Sequence, residues 1–379
     1  MRIAMFYHSL ISDWNNGNAH FLRGIVAELL RLGHNVNVYE PENGWSYNNL
    51  IKFHGNNPIE DFSKSFPHLK SIKYRLADFD LNVLNDMDLV IVHEWNEPQL
   101  IRMITQHRKS NTGYKLLFHD THHRCACQPQ HTQNLDISSF DGVLAFGKVL
   151  ADIYLAKNWN NNVWVWHEAA DTNIFKQVND ETRKSDLVWI GNWGDNERSQ
   201  EIQEFLIAPS CDLKLKANVY GVRYPSKAMK MLSNAGIQYK GWLANHKVPH
   251  IFQHHRFTVH IPRRPYSQLL VGVPTIRVFE ALACGIPLIC APWQDSENLF
   301  TPGKDYLMAE NGSEMKKQMK KIINEPEFAA QLAEHGRKTI SQRHTCAHRV
   351  TQLLSICKQL DIDINTEKKQ SAKKEKINA

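Results

Sequence analysis

Short apolar runs alternate with longer amphipathic stretches along most of the chain. "RIAMFY" (2–7) is mostly apolar and stops at polar residues, which predicts a buried strand. "FLRGIVAELLRLGH" then sets Leu22, Ile25, Val26, Leu29 and Leu30 on one helical face, with Gly33 as a stop. "NVNVYE" (35–40) follows as a second strand. The three form a β-α-β unit, and the tight return from helix to strand suits a parallel sheet. "DLVIVHE" (88–94), "KLLFHD" (115–120) and "GVLAFG" (142–147) continue the strands, with "EPQLIRMITQHRK" helical between the first two. Residues 43–80 carry no readable motif.

The rhythm breaks at 167–185, a polar connector without a clear period, and then restarts. "DLVWIGNWGDNERSQEIQEFLI" reads as strand, Gly-containing loop and helix. "LKANVYG", "FTVHIP" and "IPLICAPW" supply further strands, with helices near 226–235, 275–284 and 313–324 and a last one near 345–360. The expected fold is α/β, two doubly wound Rossmann-like halves in tandem. The boundaries are 1–167, 168–345, a C-terminal helix at 346–363 and a disordered basic tail at 364–379.

Composition adds little to this picture. The 379 residues are 42% hydrophobic and 22% charged, the profile of a globular enzyme. Net charge is +6, but "EKKQSAKKEKINA" (367–379) alone holds five Lys against two Glu. A short solvated tail accounts for much of the excess, so no nucleic-acid partner is expected. Weak peripheral contact with an anionic membrane surface fits the same charge. The seven cysteines include one C-x-C and no C-x-x-C, which reads as reduced thiols in a cytoplasmic protein. The N-terminal apolar stretch is too short for a signal peptide, and no run approaches a membrane span.

Ligands of open parallel sheets bind beyond the carboxyl ends of the strands. His93, Glu94, His119 and Asp120 fall at such ends. His8 ends the first strand, and Asn18 and His20 lie in the loop after it. "HDTHHRCAC" (119–127) is dense in metal-ligand types. Its spacing argues against a metal site, because His122 and His123 are adjacent and no zinc-type cysteine pair is present. Trp193 and Trp242 are the right kind of residue to stack on a base or sugar, although buried packing is the default for both. Lys227 and Lys230 read as solvated.

"GVPTIRVFEALACGIPLICAPW" (272–293) is the most informative stretch. A helix beginning near Thr275 has Gly272 and Pro274 before it and Glu280 in its early turns. Its first N–H groups are open to an anion, and a carboxylate about a turn further on can take both hydroxyls of a ribose. A solvated helix start fits the same pattern.

"FEALACGIPLI" resembles the donor-nucleotide motif of GT-B glycosyltransferases. "PTIRVFEALACGIPL" followed by "APW" is closer to the CgeB-like, spore-maturation-protein-type glycosyltransferases. "NAHFLRGIVAELLRLGHNVNVYE", "DTNIFK", "WIGNWGDNERSQEI", "VYGVRYP", "YKGWL" and "HIPRRPY" resemble further segments of that family in the same order. The resemblance implies a nucleotide-sugar donor docked mainly on the second half. The acceptor, a glycan, lipid-linked glycan, protein or small molecule, would dock on the first. Glu280 would hold the ribose, and Arg198, Arg263 and Arg264 the diphosphate. Gly272 and Thr275 would lie against the donor, and Arg124 would reach a phosphate. His119 and Asp120 would stand at the reacting carbon. No metal and no cofactor is implied, since the arginines and the helix start neutralise the leaving group. One departure stands out. Many retaining members carry a Glu eight residues before the ribose Glu, and here 280 − 8 = 272 is Gly. Glu94 or Asp120 would then supply the acid, or the "VGVPT" backbone would hold the sugar. A nucleotide-sugar epimerase or hydrolase, or a non-catalytic GT-B-fold binding protein, are the alternative readings.

Overall fold

The apolar runs become two all-parallel sheets in a computed structural model of the chain, which describes residues 1–178 and 184–364. The first sheet comprises β1 (Arg2–Phe6), β2 (Asn35–Pro41), β3 (Ser71–Tyr74), β4 (Leu89–His93), β5 (Lys115–Asp120), β6 (Gly142–Ala145) and β7 (Val163–Val165), in the order 3-2-1-4-5-6-7. The second comprises β8 (Ser185–Ile190), β9 (Ala217–Tyr220), β10 (Gln238–Tyr239), β11 (His255–His260), β12 (Leu288–Cys290) and β13 (Leu307–Met308), in the order 10-9-8-11-12-13. Each is doubly wound. The strand order reverses between β1 and β4 in the first sheet and between β8 and β11 in the second, and such switch points are where open sheets bind ligands.

Strand β4 shows why apolar runs mark these strands. All five of its residues are buried, as expected where helices cover both faces of a parallel sheet. The helix Asn18–Arg31 buries Leu22, Ile25, Val26 and Leu29 of the predicted stripe and leaves Leu30 half-buried. In the second unit, Leu187, Trp189, Phe257 and Ile289 of the strands pack with Phe205, Leu232 and Met319 from the helices.

The chain divides into two units. One holds Met1–Ser12, Leu22–His167 and the last helix, Cys346–Gln359; the other holds Asp13–Phe21 and Glu168–Thr345. The loop after β1 and the first turn of the next helix therefore pack with the second unit, whereas the pattern along the chain assigned them to the first. Residues 43–80 contain two helices, Trp45–His54 and Asn57–Ser65, and the short strand β3. The 18-residue helix Pro326–Arg343 was not visible in the periodicity. The helix expected after the Gly-containing loop is broken into Ser199–Ile202, a wide turn at Gln203–Ile207 and Ala208–Asp212. Pro209 has no N–H to offer the carbonyl four residues back, which favours that irregularity. Residues 179–183 of the connector and 365–379 of the basic tail lie outside the described residues.

Candidate active site

The second unit builds its centre on the helix Ile276–Cys284, capped by Thr275 and ended by Gly285 in the left-handed conformation (φ 64°). Glu280 sits on its inward face with 0% exposure. Its Oε1 accepts from Asn245 Nδ2 at 2.8 Å and faces His20 Nδ1 at 2.9 Å. The backbone N–H of Asp171 donates to His20 Nε2 at 2.8 Å, so the ring proton lies on Nδ1 and is donated to Glu280. Phe175 stacks on the imidazole at 3.8 Å. Arg277 closes an ion pair with Oε2. Burial alone would raise the carboxyl; Arg277, His20 and Asn245 outweigh it and hold Glu280 below the ordinary value. Asp13 supports the centre from behind, accepting from the Asn245 backbone N–H at 2.9 Å and from Trp242 Nε1 at 3.1 Å.

Glu168 is buried near this centre and its carboxylate accepts from the backbone N–H of Ile276, the first residue of the helix. Desolvation and the negative charge of Glu280 push its pKa up to about 8. The helix start expected to face an anion thus already faces a carboxyl group.

Arg198 crosses the switch point of the second sheet. Its terminal nitrogens donate to the Ile261 carbonyl at 2.9 Å and to the Asn192 carbonyl and side chain at 2.6 and 2.7 Å. Burial, then the like charges of Arg263 and Arg277, lower it to about 10, so it stays a cation at neutral pH. Arg263 pairs with Glu197 at 3.1 Å and Arg264 with Glu201 at 2.8 Å. Gly272 adopts φ 95°, and the Ser296 hydroxyl occupies the space a Cβ would need. A glutamate there would be strained and would clash, which accounts physically for the missing acid.

The first unit builds its centre on the ends of β1, β4 and β5. His93 and His119 are register partners on β4 and β5. His119 has 0% exposure; its Nδ1 lies 2.6 Å from the Tyr7 hydroxyl, and Trp166 packs edge-on at 4.8 Å. Burial depresses the imidazole to about 3, leaving it neutral. Asp120 is also buried: Oδ1 accepts from the His122 backbone N–H at 2.9 Å and Oδ2 from Tyr154 Oη at 2.7 Å. Glu94 pairs with Arg124 at 2.8 Å, yet burial and the charge of Asp120 raise it well above the carboxylate range. The two residues expected at the reacting carbon therefore lie beneath the surface.

The remaining candidates separate in the same way. His8 is half-buried and neutral near pH 7, with burial the main cause. His123 Nδ1 lies 3.1 Å from Cys127 Sγ, and Cys125 is buried against Asp120. Among the described residues no three His, Cys, Asp or Glu side chains are grouped to hold a metal ion. Asn18 is half-buried at the start of its helix. Trp193 is buried in the core of the second unit, edge-on to Tyr224. Lys227 and Lys230 are exposed. Asp13, Glu168, Asn245 and Arg277 escaped the sequence reading. Only Arg277 had a signal, its position three residues before Glu280 on one helical face.

The profile of the Glycosyl transferase-like family matches residues 198–355, which include the Arg198, Arg263 and Glu280 positions. No curated protein matches the chain. Among solved structures, sucrose-phosphate synthase from Thermosynechococcus elongatus is similar over 95% of this chain and 99% of its own, at 12% identity and a TM-score of 0.68. Anabaena Alr3699/HepE, solved with UDP, is similar over 95% of this chain and 100% of its own, at 14% identity and a TM-score of 0.67. An α-glucosyltransferase solved with UDP and a 13-mer DNA containing an HMU base covers 94% and 99%, at 13% identity and a TM-score of 0.68. The sheet orders and these likenesses define the GT-B fold. The profile match covers residues 198–355, under half of the chain. Among the described residues no helix is long and apolar enough to cross a membrane.

Proposed function

We propose that the chain is a glycosyltransferase of the CgeB-like type that takes its sugar from a nucleoside diphosphate donor bound to the second unit, without a metal. The observation that supports this most is the crowding of Arg198, Arg263 and Arg277, close enough for the latter two to depress the first. Glu197 and Glu280 pair with Arg263 and Arg277 in the free chain, and a leaving diphosphate is an anion that the grouped cations can take up in exchange. Glu280 receives the ribose by exchanging its bond to Arg277, the one partner of the three that is part exposed. Arg277 is then released toward the phosphates. Arg264, Gly272 and Thr275 complete the donor contact. In the first unit, His119 and Asp120 act as positioning residues beneath the strand ends, and Glu94 and Arg124 lie beside them.

Isothermal titration with UDP, GDP and ADP tests the reading. One nucleotide binds, and Arg263→Ala and Glu280→Ala each weaken it about tenfold or more, the effect of losing one charge-assisted hydrogen bond. No binding by any of the three, or undiminished binding by Glu280→Ala, overturns it. Rapid release of free sugar from the donor with no acceptor present would favour a hydrolase.

A further inference from the structure

The switch point of the first sheet carries a feature that the donor chemistry does not use. Of the ten tryptophans, Trp45 and Trp95 are the two that stand among the exposed large side chains, at 48% and 46%. Both flank one imidazole: the His8 ring lies 6.4 Å from Trp45 and 5.9 Å from Trp95. Trp45 follows β2, His8 follows β1 and Trp95 follows β4, so the three rings sit side by side at the carboxyl ends of adjacent strands. Exposed indoles at such a place are costly to keep in water and form ready contact surfaces.

The shelf is rigid. The Trp95 backbone N–H donates to His93 Nδ1 at 3.3 Å, which leaves the His93 ring proton on Nε2 for the Thr121 hydroxyl at 3.0 Å. The next residue, Asn96, donates to the Phe6 and His93 carbonyls, both at 2.8 Å. The Arg124 guanidinium lies 4.1 Å from the Trp95 ring centroid, and His122 meets the ring edge-on at 4.9 Å. Trp45 opens a helix whose next residue, Ser46, bonds Ser12 at 2.8 Å.

The shelf is also electrically balanced. The charges that reach His8 are Glu40 and Arg124, of opposite sign. Arg124 is paired with Glu94, and Lys73 with Glu40 at 2.8 Å. Surfaces that hold nucleic acid combine stacking rings with an uncompensated cationic track, and here the cations are matched. What remains is the flat, electron-rich Trp45 ring and the Trp95 face opposite Arg124, which attract the weakly positive C–H face of a neutral sugar ring.

We infer that Trp45, His8 and Trp95 form an acceptor subsite for a neutral saccharide ring. This rests on the glycosyltransferase reading above and adds the class of acceptor. The test is a tryptophan-fluorescence titration of the full chain with cellobiose, maltose and diacetylchitobiose, with a short oligothymidylate as the anionic comparison and UDP titrated in parallel. At least one disaccharide binds. Trp45→Ala and Trp95→Ala each weaken it about tenfold, Trp45→Phe and Trp95→Phe largely restore it, and UDP affinity is the same in all four. Saturation-transfer NMR places the contact on the C–H face of the sugar. UDP binding with no disaccharide bound, full disaccharide binding in both alanine variants, or tighter binding of the oligothymidylate overturns the inference. Disaccharide binding without UDP binding sustains the subsite and defeats the donor reading instead.

Discussion

The two units each bury a carboxylate group with a histidine near the ends of their strands, and treat it in opposite ways. In the second unit, His20 and Asn245 donate to Glu280 and Arg277 pairs with it, so the charge persists at zero exposure. In the first unit the buried histidine, His119, meets a tyrosine hydroxyl, and Glu94 and Asp120 have to share one guanidinium. Both of those acids rise. Burial raises the carboxyl in both units; converging donors and cations outweigh it at Glu280, whereas at Glu94 and Asp120 a second acid competes for them and the rise remains.

Breaking the better-matched centre has the larger effect. Glu280→Ala strands Arg277, His20 and Asn245 together, and urea unfolding is expected to show a loss of about 3–5 kcal/mol. The cost of Asp120→Ala in the first unit is about 1–3 kcal/mol by the same measurement, because the Tyr154 hydroxyl and the His122 N–H lose their acceptor. Glu168 sharpens the contrast through pH. Its folded-state pKa of about 8 lies above the ordinary glutamate value, so the folded chain holds that proton more tightly. Its contribution is full below about pH 4 and is lost as pH rises through about 8, at no more than about 1.4 kcal/mol per pH unit. Glu168→Gln keeps an acceptor for Ile276 and is expected to remove that slope, seen in unfolding curves at acid, neutral and alkaline pH. Tyr7→Phe has the smallest effect, about 0.5–1.5 kcal/mol, since one neutral hydrogen bond to His119 is lost.

Strand positions were legible because parallel strands are buried on both faces and write continuous apolar runs, as "KLLFHD" does for β5. Strand β3, "SIKY", has no such run and was missed; its edge position leaves it half-buried. The helix Ile276–Cys284 was legible from Gly272, Pro274 and Gly285, residues whose backbone chemistry is local. The company of Glu280 was not. His20 lies 260 positions away in sequence and Asn245 lies 35 away, and no periodicity records a hydrogen bond of that span. His119 and Asp120 were placed correctly at a strand end, but the pattern could not say that Tyr7, Trp166 and Tyr154 would cover them.

The segment Asp13–Phe21 has a consequence for dissecting the molecule. The chain passes between its two units four times, at residues 12/13, 21/22, 167/168 and 345/346. A cut at the connector would look natural, yet a fragment beginning at Glu168 would lack Asp13 and His20, and with them the groups that orient Asn245 and Glu280. The second unit is therefore not a detachable cassette. Recombining it with another first half would require the loop after β1 to travel with it.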